Sequence, residues 1–275
     1  MLRKMVGPAI TLGLVALASG GTVQAQDGTF DWSQTMREGQ VLEVRGIIGS
    51  INAVLASGDR AEVVARKRGR SGDFEEVAIE VEELSDGFVI CAVYGSWNHG
   101  EGDCLPNRRD RRDDEKRRRH RGSDIDVEVE YEVRVPAGVE FQGGMVSGNI
   151  EVEDLRSEVE VSTVSGDIFV SSSEMVWANS VAGDIEVDMG NFDWEDLDFN
   201  TVSGDITLWF PSDFSADIEF NSLSGDLDTD FDLTIRNQRK RRWIGTDLEG
   251  TIGGGGRDLS LSTISGDVEL RRRGR

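Results

Sequence analysis

The chain has 275 residues, with 52 acidic and 30 basic side chains and a formal net charge of −22. This acidity argues against a nucleic-acid-binding protein, which requires a net or local positive field. Glycine occurs 33 times and proline 4 times, and short runs of Val and Ile recur. A disordered chain would lack such runs and a collagen would carry glycine at every third position, so the composition indicates a β-protein with many tight turns.

The first 25 residues have the pattern of a secretory signal peptide. Arg3 and Lys4 form a basic start, residues 6–18 are almost entirely apolar, and Val23-Gln24-Ala25 offers small residues to a signal peptidase. We therefore expect cleavage after Ala25. The apolar stretch is shorter than the ~20 residues of a comfortable membrane span. The sequence thus predicts an exported chain, periplasmic, on the cell surface or secreted, with no transmembrane segment in its mature form.

Residues 27–97 predict β-strands without a regular repeat. The candidates are residues 41–44, 61–64, 77–81 and 88–94, which are rich in β-branched and aromatic residues. We expect these strands to form a cap that shields one end of the domain from edge pairing.

Cys91 and Cys104 are the two cysteines of the chain. In an oxidising compartment they predict a structural disulfide, which would stabilise the fold by roughly 3 kcal/mol for a loop of this length. A metal site with His99 and His120 is the alternative, although structural zinc requires four ligands. Residues 98–123 otherwise predict a charged loop insertion.

One phrase recurs through the second half of the chain: an aliphatic residue, Ser or Ala, Gly, Asp or Asn, and a second aliphatic residue. Its glycines are Gly148, Gly166, Gly183, Gly204, Gly225 and Gly266, and a weaker copy lies at 48–51. Successive glycines are 18, 17, 21, 21 and 41 residues apart. Because the last gap is about twice the others, we expect a degenerate rung at 228–260.

The positions around each glycine predict two strands per repeat. Positions −7 and −5, and likewise +2 and +4, are apolar, which predicts one strand with a buried face on each side of the glycine. The aliphatic residue at −2 has the opposite parity, so we expect the chain to bend between −5 and −2 to bury it, with a corner at −4 and −3, where Ser, Thr and Asn are frequent. The repeat therefore predicts an all-β fold: a single-domain β-solenoid, resembling a parallel β-helix, over residues 26–275.

The Val-Ser-Gly-Asp-Ile repeats, the Thr263-Ile264-Ser265-Gly266-Asp267-Val268 segment and the Val133-Arg134-Val135-Pro136-Ala137-Gly138 segment resemble one family. It is the bacterial putative-adhesin domain family, and the resemblance covers roughly residues 40–275. It implies an exported β-solenoid of unknown molecular function, and it implies no catalytic residues.

An acidic column follows the glycines. Its members are Asp167, Asp184, Asp205, Asp226 and Asp267, with Asn149 in the first copy. Carboxylates stacked ~5 Å apart repel each other unless a cation or backbone donors compensate. Two interpretations stay open: main-chain hydrogen bonding in a tight turn, and a calcium ladder, although calcium requires six to eight oxygens. No other cofactor is expected.

Aromatic and basic side chains are the candidates for binding. Trp177 at −6 and Trp209 at +5 should point away from the core, where they would stack on a sugar or pack under a loop. Basic clusters at 108–121, 236–242 and 271–275 would either dock an anionic polymer or pair with nearby acidic residues. The candidates within the middle cluster are Arg239, Arg241 and Arg242.

Motifs of known catalytic sites are missing from the sequence. The chain has neither Gly-x-Ser-x-Gly nor His-Glu-x-x-His, and both histidines lie in the charged insertion. We therefore expect no catalytic residues and a non-enzymatic module of the cell envelope or surface, whose partner would be an envelope glycan or a surface protein. The alternatives are an exported polysaccharide-active enzyme on the same scaffold and a purely structural envelope protein.

Overall fold

The computed structural model describes residues 22–26, 28–69, 71–95, 126–174, 176–190, 196–240 and 245–274, with 22–26, 71–73 and 238–240 described by their backbone alone. These residues form two β-sheets of 11 strands each and one short 3-10 helix, η1 (Ser71–Glu76). The all-β prediction is confirmed.

Sheet A contains, in spatial order, β1 (Thr22–Gln26), β2 (Thr29–Thr35), β5 (Arg60–Gly69), β8 (Val127–Val135), β4 (Gly49–Leu55), β10 (Ile150–Leu155), β12 (Ile168–Ser172), β14 (Ile185–Met189), β16 (Ile206–Phe210), β22 (Val268–Arg272) and β18 (Leu227–Thr229). Sheet B contains β19 (Leu233–Lys240), β20 (Thr246–Ile252), β17 (Ala216–Ser224), β21 (Asp258–Ser265), β15 (Asp196–Ser203), β13 (Val176–Ala182), β11 (Val159–Ser165), β9 (Glu140–Ser147), β3 (Val41–Arg45), β7 (Gly87–Tyr94) and β6 (Val77–Glu83).

A rung consists of one strand of sheet B followed by one strand of sheet A. The rungs are, in spatial order, β7/β8, β3/β4, β9/β10, β11/β12, β13/β14, β15/β16, β21/β22 and β17/β18. Neighbouring rungs pair in parallel and in register, so that Val159 aligns with Phe141 on one side and Val176 on the other. The facing side chains of the two sheets form one continuous core. This arrangement is the predicted β-solenoid.

The order of the rungs in space differs from their order in the sequence at both ends. Rung β3/β4 comes first in the sequence, but it lies second in the stack, between β7/β8 and β9/β10. Rung β21/β22 comes last in the sequence, but it lies second from the other end, between β15/β16 and β17/β18. The first and last rungs of the sequence are therefore each paired on both sides, which protects them from fraying at an open edge.

The prediction of a degenerate rung at 228–260 is wrong. After β18 these residues form β19 and β20, an antiparallel hairpin that joins the edge of sheet B next to β17. The doubled spacing between Gly225 and Gly266 arises because the chain leaves the solenoid for this hairpin. It then returns to the solenoid, and β21/β22 pairs between rungs β15/β16 and β17/β18.

The predicted corner at −4 and −3 is also wrong. All six sheet B strands that carry the phrase extend through position −1 without a bend, as β11 does from Val159 to Ser165. Position −3 therefore shares the inner face with −7 and −5, and Thr163 is 4% exposed. Position −2 points outward instead. The prediction failed because it assumed that every recurrent aliphatic residue is buried.

The N-terminal strands cap the solenoid, although not all of them belong to the cap. Strands β5 and β2 extend sheet A beyond the β7/β8 rung and β6 extends sheet B, all antiparallel to their neighbours, whereas β3, β4 and β7 are rungs. Strand β1 adds one further antiparallel strand to sheet A. It overlaps the predicted signal peptide, because cleavage after Ala25 would remove four of its five residues.

Candidate functional site

The sheet B strand and the sheet A strand of a rung meet at the glycine of the repeated phrase. We call the surface formed there by positions −2 to +1 of successive rungs the corner edge. Gly204 has φ +148°, and a Cβ atom at this position would lie 2.1 Å from the carbonyl oxygen of Gly183 in the next rung. A side chain would force the rungs apart, so the corner requires glycine for its backbone angle and for its packing.

The aspartates of the corner edge form a ladder of hydrogen bonds between rungs. The backbone N–H of Asp184 donates to the carboxylate of Asp167 at 3.0 Å, and that of Asp205 donates to Asp184 at 2.8 Å. The same contact joins Asp167 to Asn149, Asp267 to Asp205 and Asp226 to Asp267. Backbone donors thus compensate the stacked carboxylates, and each acceptor belongs to the neighbouring rung rather than to the same turn.

In three rungs a hydroxyl group at position −3 holds the inner side of the corner, whereas the buried hydroxyls of Ser222 and Thr263 at the same position have no hydrogen-bond partner among the described residues. The hydroxyl of Thr163 donates to the carbonyl oxygen of Gly148 at 3.2 Å, and that of Ser180 donates to Gly166 at 3.4 Å. These buried hydroxyls satisfy carbonyls that the corner leaves outside the strand ladder. These Ser and Thr residues were predicted to lie in a bend, and their role as hydrogen-bond donors between rungs was not predicted.

An aliphatic ladder covers the outside of the corner edge. Its members are Ile47, Val146, Val164, Val181, Val202, Ile264 and Leu223, which occupy position −2 in seven adjacent rungs and are 40–49% exposed. At the ~4.8 Å spacing of strands the ladder is about 29 Å long. Within the described residues nine large hydrophobic side chains are exposed, and Ile235 is the one that lies away from the corner edge. The odd parity of −2 relative to −5 was the sequence signal for this exposure.

A shallow depression of about 370 Å³ adjoins the corner edge on the outer face of sheet A. Its lining includes Phe169, half-buried, between Glu151 and Glu186 of the neighbouring rungs. The indole N–H of Trp209 donates to Glu186 at 3.1 Å at the rim of the depression. The arrangement offers an aromatic face beside carboxylate acceptors.

The other predicted binding residues do not converge. Trp177 lies on the outer face of sheet B and Trp209 on that of sheet A, so the two rings are on opposite sides of the solenoid. Arg239 lies by its backbone in β19 at the edge of sheet B, and Arg241 and Arg242 lie outside the described residues.

Arginines near the C-terminus pair with acidic residues. Arg271 lies 2.9 Å from Glu269 and 3.1 Å from Asp228, and Arg273 contacts Asp188. The guanidinium of Arg272 stands 5.1 Å from the ring centre of Phe231. Of the two interpretations for this cluster, the structure shows pairing with acidic side chains.

Backbone donors stabilise two carboxylates as anions at this end of the solenoid. The N–H of Gly256 and the hydroxyl of Thr251 hold the pKa of Asp217 below its ordinary value. The N–H of Arg272 lowers the pKa of Asp230 in the same way.

Several predictions concern residues outside the described part of the chain. Cys91 is buried in β7 and carries no free thiol, but Cys104 is not described, so their pairing stays a prediction. Residues 1–21 of the predicted signal peptide and the charged insertion at 98–123 also lie outside the described residues, so both stay predictions. Among the residues described, no helix has the length and hydrophobicity to cross a membrane. No group of three or more His, Cys, Asp or Glu side chains suited to a metal ion occurs in the described ranges.

Solved structures of low sequence identity resemble this chain. A "putative cell adhesion protein" from Clostridium sporogenes has a TM-score of 0.46 at 9% identity, covering 88% of this chain and 99% of its own. A "putative adhesin" from Bacteroides fragilis has a TM-score of 0.29 at 10% identity, covering 90% and 98%. A "putative lipid binding protein" from Parabacteroides distasonis has 0.23 at 10% identity, covering 89% and 97%. At these TM-scores the similarities carry no argument about function, and no curated protein matches the chain.

The family of the chain follows from its sequence. The Toastrack DUF4097 family model matches residues 125–271, more than half of the chain and the part that contains every strong copy of the repeated phrase. The match is shorter than the range over which the sequence resembles adhesin-type domains, but it covers the same rungs from β8 to β22. The chain belongs to the Toastrack DUF4097 family.

Proposed function

We propose that this protein is an exported, non-enzymatic interaction module of the bacterial cell envelope or surface, and that the corner edge is its contact surface. The observation that carries the proposal is the aliphatic ladder. Exposed hydrophobic side chains on a soluble protein are usually scattered, whereas contiguous ones mark interaction sites. Here seven lie in one line across adjacent rungs.

The neighbouring ladders indicate the chemistry of the partner. The aliphatic line runs beside exposed Ser or Ala residues and the Asp ladder, so an elongated partner would meet an apolar strip next to hydroxyl and carboxylate groups. Such a surface suits an extended glycan or protein segment that presents apolar faces and hydrogen-bond donors. A highly anionic polymer would be repelled by the Asp ladder.

The proposal is tested by replacing three central valines with threonine. Val164→Thr, Val181→Thr and Val202→Thr keep the β-branched shape and remove the apolar surface. Completing the burial of three half-exposed valines is worth about 2 kcal/mol, so the triple variant should bind roughly thirtyfold more weakly. The measurement is retention of the labelled protein on isolated cell envelopes, on protease-treated envelopes and on purified envelope glycans.

Trp177→Ser is the matched control, because it removes a half-buried aromatic side chain from the outer face of sheet B and leaves the corner edge intact. It should bind like the wild type. Equal binding by the triple variant and the wild type, with unchanged melting temperatures, would refute the corner edge as the contact surface.

A polysaccharide-active enzyme is the second candidate, and the depression on sheet A favours it. Glu151 and Glu186 flank Phe169 from rungs two apart, which corresponds to a backbone separation of ~9.6 Å. From this backbone separation the two side chains could bring their carboxyl groups to roughly 6.5–9.5 Å, the spacing of the pair in inverting glycosidases. Release of soluble products from an envelope glycan that disappears in both Glu151→Gln and Glu186→Gln would favour this candidate over the binding module.

A further inference from the structure

The two sheets have equal numbers of strands but are offset relative to the rungs. Beyond the β7/β8 rung, sheet A continues with β5, β2 and β1, whereas sheet B continues with β6 alone. Beyond the β17/β18 rung, sheet B continues with β20 and β19, whereas sheet A ends at β18. One end of the solenoid therefore projects by two strands of sheet A, and the other by two strands of sheet B.

We propose that these ends bind each other in successive copies of the chain that retains β1, so that this form of the protein assembles head to tail along the solenoid axis. In such a stack, β5, β2 and β1 separate the rungs of two copies in sheet A. Strands β20, β19 and β6 separate them in sheet B. Three strands intervene in each sheet, so both sheets continue from one copy to the next at the same time.

The strand directions agree with this joint. Strand β18 runs parallel to the rungs, and β1 runs opposite to them, because each step from β8 to β5, β2 and β1 is antiparallel. Strand β19 runs with the rungs and β6 runs against β7. Both new pairs, β18 with β1 and β19 with β6, would therefore be antiparallel, as in strand addition to an open sheet edge.

The charges of the sheet B edges are complementary. Strand β6 carries Glu80, Glu82 and Glu83 and no basic residue. Strand β19 carries Arg239 and Lys240, together with Arg236, which lies 3.0 Å from Asp217 of β17, and no acidic residue. Two β6 edges or two β19 edges would repel each other, whereas β6 attracts β19. The charges therefore oppose a symmetric dimer and favour the head-to-tail contact.

An exposed apolar side chain marks the same edge. Ile235 is 50% exposed, and it aligns with the buried Gly250 of β20, which places it on the core-facing side of sheet B. In the stack it would lie beside Ile79 and Val81, which pack against the core at the β6 edge. A head-to-tail contact of this kind is heterologous, so it produces an open filament unless the rotation closes a ring.

Strand β1 decides whether the ends match. Cleavage after Ala25 would remove four of its five residues and leave two strands in sheet A against three in sheet B, with one strand position unfilled. We therefore expect the chain from Gly21 onward, which contains every described residue, to assemble. We expect the chain from Gln26 onward to assemble at least tenfold more weakly.

The test measures association by sedimentation velocity from about 1 to 100 µM protein. The wild-type chain from Gly21 onward should form a concentration-dependent series extending beyond the dimer. Ile235→Lys should shift assembly to at least tenfold higher concentration. The matched control is Val164→Lys, at a side chain that is 49% exposed against 50% for Ile235, but on the corner edge. It should assemble like the wild type.

A charge exchange separates the contact from effects on folding. Glu80→Lys with Glu83→Lys should abolish assembly. Mixing this variant with an Arg239→Glu, Lys240→Glu variant should restore growth beyond the dimer by alternation of the two variants, because both kinds of junction then join opposite charges. A monomer across the whole range, growth that stops at the dimer, or unchanged assembly in Ile235→Lys would overturn the proposal. None of these outcomes bears on the corner edge, so this proposal and the proposed function fail separately.

Discussion

Gly204→Ala is the sharpest test of the corner architecture. The substitution places a methyl group 2.1 Å from the carbonyl oxygen of Gly183, at a residue whose φ is +148°. A backbone held in that region by a non-glycine residue costs about 1–3 kcal/mol. Separating the two rungs would also weaken the hydrogen bonds from Asp205 N–H to Asp184 and from Gly183 N–H to Ser203. At about 1 kcal/mol each, these bring the expected loss to about 3–5 kcal/mol.

Three other glycines separate the two causes of this loss. Gly58 has neither a positive φ nor a neighbour within 4 Å of its Cβ position, and Gly39 has φ +79° with no such neighbour. Gly225 has no positive φ, but its Cβ would lie 1.9 Å from the Gly266 carbonyl oxygen. Alanine at Gly58 should be nearly neutral, at Gly39 it should cost about 1 kcal/mol, and at Gly225 it should cost less than at Gly204. The reason is that Gly225 lies in the outermost rung, which can shift outward.

Urea unfolding followed by circular dichroism gives the midpoint and slope for all four variants and the wild type. A Gly204→Ala midpoint equal to that of Gly58→Ala would refute the steric argument for the glycine column. If Gly39→Ala and Gly204→Ala lost equal stability, backbone angle alone would explain the repeat, and the close approach of the rungs would be irrelevant.

Three further outcomes test the ladders and the charged end. Asp205→Asn should unfold like the wild type because Asn149 already serves as acceptor in rung β9/β10, whereas Asp205→Ala should cost about 1 kcal/mol in urea unfolding. Calcium followed by chelator should leave the melting temperature unchanged, and a rise of many degrees would contradict backbone compensation of the carboxylates. The fold holds the pKa of Asp217 below the ordinary Asp value of about 3.9, so the ionised carboxylate stabilises the folded state at pH values above that value. This stabilisation is lost as the pH falls through the folded-state pKa. Asp217→Asn should therefore be less stable than the wild type near neutrality, and the difference should vanish in acid.

Much of the solenoid could be predicted from the sequence because its physics is local and periodic. Apolar residues two apart around each glycine predict paired strands, and the constant spacing predicts stacking in register. The end of the chain could not be read in this way. No pattern between Gly225 and Gly266 indicates that β21/β22 lies between β15/β16 and β17/β18, because the choice of neighbour depends on contacts between segments far apart in the sequence.

The corner edge was predicted in part. Gly and Asp lie where the two strands of a rung meet, but the partner of each carboxylate lies in the next rung, and a single repeat carries no information on that contact. Val164 was misplaced because hydrophobicity outweighed parity in the interpretation. Parity was the better guide, since β11 is straight and every second side chain must face the solvent.

Folding explains most of the repeated phrase but not its first residue. Glycine is required by the neighbouring carbonyl, Asp accepts a backbone N–H from the next rung, and the aliphatic residue at +2 fills the core, where Ile168 and Ile185 are each 1% exposed. At −2, threonine would satisfy the same strand geometry and stay hydrated, yet all seven rungs carry Val, Ile or Leu there. In-register aliphatic pairs contribute to stability, but their outer surface remains in water. If threonine at three of these positions leaves stability unchanged and abolishes envelope binding, the aliphatic residue at −2 is retained for contact with a partner. If binding survives and stability falls, the ladder is part of the scaffold.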